Sequence, residues 1–70
     1  MKMQIGHFYI IKGKRAIPFQ VLEENDDKYL LNMPTKNPSK VEIDKIGIIW
    51  MIERDLIEEV SEDQAFAYAI

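Results

Sequence analysis

The sequence contains no cysteine and only one histidine, His7. Disulfides are therefore excluded, and a zinc site would have to be built almost wholly from carboxylates. Glycines stand alone at positions 6, 13 and 47, so no glycine-rich loop exists to cradle a phosphate. The longest apolar run, Ile46–Ile52, has seven residues, whereas a membrane-spanning helix needs about 20. Met1-Lys-Met-Gln-Ile-Gly-His7 is not followed by the apolar segment of a secretory signal. The chain is thus expected in the cytoplasm, away from membranes.

What is present is one small domain of 70 residues, 47% of them apolar, which argues against disorder. Ordering such a chain costs roughly 1.5 kcal/mol per residue, and a domain of this size buries only about 60% of its unfolded surface. Without cross-links, a dense core or association with copies of itself must supply the stability. Charge is unevenly distributed. Residues 1–40 hold seven Lys/Arg against four acids, while residues 41–70 hold two against eight. The acidic half is either an ordinary solvated face or a surface offered to a basic partner.

The most informative stretch is Ala16–Asn32, which reads as a β-hairpin. Ile17, Phe19 and Val21 share one face of a strand, Tyr29 and Leu31 answer from the next, and Glu24-Asn25-Asp26-Asp27 supplies the turn. His7–Ile11 reads as a preceding strand, joined through Lys12-Gly-Lys-Arg15, with Gly13 as the turn residue. Pro18 cannot donate to a ladder, so its part of the strand is expected at an edge or beside a bulge. Residues 1–6 read as a frayed start or a short edge segment, and Met33–Ser39, with two prolines, as a loop. Lys40–Asp44 alternates like a half-buried strand.

The segment Ile46–Val60 is ambiguous. As a helix, Ile46, Ile49, Trp50, Leu56, Ile57 and Val60 would share a stripe. As strands, Ile48–Ile52 would turn at Glu53-Arg54-Asp55 into Leu56–Val60. Its isoleucines and Gly47 favour strands. Ser61 with Gln64 three residues on forms a capping box, which starts a helix over Glu62–Ala69 whose apolar side must dock. The expected architecture is mainly β: a small antiparallel barrel or strongly bent sheet of four to five strands over residues 7–60, closed by that short helix.

The Gly13 turn, the strand Ile17–Leu22 entering Asp26-Asp27, the return Tyr29-Leu30-Leu31, and Val41-Glu-Ile-Asp-Lys-Ile46 leading into Ile48–Ile52 resemble the small SH3-like and Sm-like β-barrels. That resemblance implies a barrel and ring or dimer assembly. Pro18 stands where Sm-like strands usually carry glycine, and no RNA-contacting residue carries over.

Catalytic chemistry is not expected. His7 has no second histidine, Ser39 and Ser61 have no local base, and Asp26-Asp27 and Glu58-Glu59 would point to opposite faces of a strand. No metal or cofactor is implied. Two binding surfaces stand out. In a strand, Ile48, Trp50 and Ile52 would line one face and Ile49 and Met51 the other, so one set needs a cover. That cover is either the C-terminal helix, through Phe66 and Ile70, or another protein or subunit. The basic loop Lys12, Lys14, Arg15, with Tyr9 and Tyr29 as stacking platforms, is a candidate nucleic-acid or ligand contact that the net charge of −3 disfavours. The function expected is therefore non-catalytic regulation by protein–protein contact in a homo-oligomer. A phage or mobile-element inhibitor of a host defence or nucleic-acid enzyme is one concrete form. The alternatives are an Sm-like RNA-binding oligomer and a small-ligand-binding oligomer.

Overall fold

The computed structural model describes residues 2–34 and 39–69. Five strands form one antiparallel sheet: β1 (Phe8–Ile11), β2 (Ile17–Glu24), β3 (Lys28–Met33), β4 (Ser39–Asp44) and β5 (Ile57–Val60). Helix α1 (Lys45–Glu53) joins β4 to β5, and α2 (Glu62–Tyr68) follows β5. The order across the sheet is β4-β3-β2-β1-β5. The sheet is not closed into a barrel, because β4 and β5 form its two edges.

The hairpin forms where its turn chemistry lies. Asn25 Oδ1 accepts the backbone N–H groups of Asp27 (2.9 Å) and Lys28 (2.7 Å), which stabilises the turn between β2 and β3. Tyr29 then pairs with Glu24 and Leu31 with Val21, and the register slips between Val21 and Glu23 as a bulge. Pro18 pairs only with Ile10 of β1, in a part of β2 that β3 does not reach. Its missing N–H therefore interrupts no ladder.

Alternation divides the sheet into two faces. Tyr9, Phe19, Val21, Tyr29, Leu31 and Ile57 point to the core face and are buried there with Met3 and Ile48. Phe8, Ile10 and Pro18 alternate onto the reverse face, where α2 packs across β1 and β2. There the Phe66 ring lies 6.0 Å from that of Phe8, and Ala65 is buried. The capping box at Ser61 and Gln64 is present in both directions.

Four expectations are corrected. Residues 48–52 are helical, and Ile48, Met51 and Ile52, at positions i, i+3 and i+4, turn inward against the core. Successive antiparallel ladders make β4 and β5 run the same way, so the link between them must cross the core face from end to end. The turn at residues 53–55 is real, but it ends a helix: Leu56 N–H bonds the carbonyl of Met51 and Asp55 N–H that of Ile52, with Asp55 at φ 57°. That is a Schellman stop with aspartate at the left-handed position.

Secondly, the N-terminal segment is docked, not frayed. Met3 is fully buried, Gln4 N–H donates to the Tyr9 phenol oxygen at 2.8 Å, and Gly6 N–H to the Val21 carbonyl at 2.7 Å. The left-handed glycine is Gly6 (φ 87°), not Gly13. Thirdly, α2 does not cover residues 46–52, since it lies on β1 and β2 of the reverse face, and Ile70 falls outside the described residues. Fourthly, the strands run further than expected: Met33 ends β3 and Ser39 begins β4, and residues 35–38 of the expected loop lie outside the described residues. Among the described residues, no helix is long and apolar enough to cross a membrane.

Candidate protein-interaction surface

Helix α1 is apolar on every side. Its inward stripe is locked in place, with Ile48 at 0% exposure. Its outward stripe carries Ile46, Ile49 and Trp50, exposed by 82%, 52% and 50%. These three do share one helical face, at i, i+3 and i+4, but it is the face turned away from the protein. Arg54, the C-cap residue, lays its guanidinium over the Trp50 ring at 3.8 Å from the centroid, and its Nη1 donates to the Trp50 carbonyl at 3.1 Å. The ring is thus held in a set orientation while half of the residue stays open.

The start of α1 is tied to the β2–β3 turn. Asp44 stands at the N-cap position but makes no side-chain cap. Lys45 N–H donates instead to the Asp27 carbonyl at 2.8 Å, and Lys45 Nζ to Glu24 Oε2 at 2.7 Å, with the ammonium 5.3 Å from the Tyr29 ring centroid. This hydrogen bond holds the Glu24 carboxyl below its ordinary range and raises the Lys45 ammonium above its own. Between turn and helix lies an open groove of about 510 Å³. Ile46 and Ile49 form its apolar wall, and Asp26, Asp27, Asp44, Lys28 and Lys45 complete its lining. Lys45 is already engaged by Glu24, so the groove presents three aspartates against Lys28 beside an apolar ridge.

Of the residues expected at an interface, Ile49, Trp50 and Phe66 are exposed, Met51 and Ile52 are half-buried against the core, and Ile48 is buried and cannot touch a partner. Phe66 sits on α2, on the opposite face of the sheet from α1. Ile46 and the three aspartates are additions. Reading 46–52 as a helix would have grouped Ile46 with Ile49 and Trp50, but no sequence signal brings Asp26 and Asp27 to Asp44.

The second surface is corrected more heavily. Tyr9 is fully buried, its ring stacked on Phe19 at 5.7 Å, and burial pushes its phenol up from its ordinary value. Tyr29 is buried too, so neither offers a stacking platform. Lys12, Lys14 and Arg15 are exposed, Lys12 lying 3.5 Å from Asp55 and donating its backbone N–H to the Leu56 carbonyl. His7 Nδ1 lies 2.9 Å from Glu59 Oε2, an ion pair when the ring is protonated. Among the described residues, no group of three or more His, Asp or Glu side chains converges as a metal site would require. Compared with known protein families, with curated proteins and with solved structures, the chain finds no match.

Proposed function

We propose that this chain is a non-catalytic binding protein that acts through protein–protein contacts, using the outward face of α1 as anchor and the adjoining carboxylates to select a basic partner. The observation that carries this reading is Trp50, half exposed beside Ile46 and Ile49 on a helix whose other side is locked into the core. Tryptophan anchors contribute heavily at interfaces, and a helix already held in place loses little freedom on binding. Asp26, Asp27 and Asp44 beside the apolar ridge favour a basic surface and repel an acidic one. The basic cleft of a nucleic-acid enzyme has this chemistry, and a regulator or phage-type inhibitor of such an enzyme is the form the function takes. The finer architectural reading, a small SH3-like barrel, belongs to the same proposal. The meander β1–β4 with β5 returning beside β1 supports it.

Capture from cell lysate with wild type and Trp50→Ala side by side tests the reading. Wild type should retain a basic protein that salt releases, because the rim charges are exposed. With that protein purified, Trp50→Ala should weaken the complex by about 2 kcal/mol, roughly thirtyfold in Kd. Equal retention by the variant, or a captured partner that is acidic at the contact, would overturn it.

A further inference from the structure

We infer that the free edge of β4 is where two copies of this chain pair, strand against antiparallel strand, about a twofold axis at Val41. β4 is hydrogen-bonded only to β3, and five of its six residues are exposed. Among the described residues, no backbone hydrogen bond reaches Ser39–Glu42 from anything but β3. Such an edge presents a row of unpaired N–H and C=O groups, a template for another strand.

The side chains of β4 suit a second β4 and one register only. With Val41 opposite Val41 of the second copy, Lys40 stands opposite Glu42 of the second copy, and Glu42 opposite its Lys40. Two reciprocal ion pairs then form on the reverse face. Neither residue has an ion-pair partner within its own chain among the described residues. On the core face, Val41 is paired with buried Leu31, yet is itself 44% exposed, because the apolar row stops at the sheet edge. Pairing about Val41 carries that row across the axis, from Leu31 and Val41 of one copy to Val41 and Leu31 of the other. Centring on Glu42 sets glutamate against glutamate, and centring on Lys40 sets lysine against lysine, so both neighbouring registers are opposed. The opposite edge behaves differently. β5 has four residues, with Glu58 and Glu59 both exposed, so a second β5 would meet like charge. Pairing is therefore confined to one edge, and assembly stops at the dimer.

This surface is separate from the outward face of α1, and the two proposals fail separately. The test is sedimentation equilibrium on wild type and the charge reversals Lys40→Glu and Glu42→Lys, both at exposed positions. A strand-edge contact is smaller than a standard interface, so the wild-type dimer is expected with a Kd on the order of 100 µM. Each reversal alone should raise Kd by about tenfold or more, since two attractive pairs become repulsive. An equimolar mixture of the two variants should recover wild-type affinity as a heterodimer, because every facing pair is again of opposite charge. A wild-type chain still monomeric at roughly millimolar concentration, a dimer indifferent to either reversal, or a mixture that fails to recover would each overturn the inference. Trp50→Ala should leave the dimer intact. Loss of the dimer in that variant would move self-association to α1 and overturn the β4 axis.

Discussion

Helices α1 and α2 lie on opposite faces of one sheet and are held there by different means. α2 is built from local signals: a reciprocal capping box, two acids in its first turn, and small Ala65 set against the sheet. α1 has no side-chain cap, no acid in its first turn and no polar side. It crosses the core face between two edge strands, and as a helix it sets Ile48 into the core. A helix specified by its own sequence docks through the residue that its caps place against the sheet, here Ala65, with Phe66 half covered beside Phe8. One specified by its surroundings has an apolar residue wherever the surroundings do not reach, and Trp50 is such a place.

The largest expected effect breaks the inward and outward sides of α1 apart. Ile48→Ala should cost about 3 kcal/mol, because it leaves a void where no side-chain atom now meets water, while Ile49→Ala should stay within about 0.5 kcal/mol. Urea denaturation of the two variants measures the difference. Equal losses would mean that the outward face of α1 is packed after all.

A smaller effect separates the two N-termini. Ser61→Ala should destabilise by about 1 kcal/mol, since it removes the hydroxyl that accepts the Gln64 N–H, and should speed amide exchange within α2. Asp44→Ala, at the corresponding position of α1, should change stability by less than about 0.5 kcal/mol, because no cap is lost there. Thermal melts of both variants suffice. A costly Asp44→Ala would show α1 to be locally capped as α2 is.

The smallest effect concerns how α1 is moored. Glu24 binds its proton less tightly in the folded chain than at its ordinary value of 4.5. The Lys45 contact therefore adds full stability above that pH and loses it as pH falls through the lowered folded value. Lys45 is shifted the other way, so its share is present below its ordinary 10.5 and lost as pH rises through the raised value. Glu24→Gln should flatten the acid limb of a stability–pH curve and cost little at neutrality, since the pair is partly solvated. An unchanged acid limb would remove Glu24 from the mooring of α1.

Much of the sheet was legible in advance. Asn25 and the two aspartates mark their turn, Val21 pairs with Leu31 on the face that Phe19 and Tyr29 share, and Ser61 announces α2 three residues before Gln64 confirms it. The candidate surface was legible only in part. Trp50 and Ile49 were recognisable as apolar excess, but reading them on a strand brought in Ile48 and left out Ile46. Tyr9 differs from its expected place for a related reason: it looks amphipathic, yet its hydroxyl is satisfied by the backbone of Gln4, so the ring can be buried whole.

Turns, caps and the alternation within a hairpin follow from the chain itself, because each depends on groups within a few residues of one another. Whether Ile46–Glu53 coils or extends, and which of its isoleucines meets solvent, does not. Those were settled by the buried cluster on the core face of the sheet, which takes in Ile48 together with residues from segments far apart in the chain. The same distant arrangement brings Asp26 and Asp27 beside Asp44, and leaves the edge of β4 open.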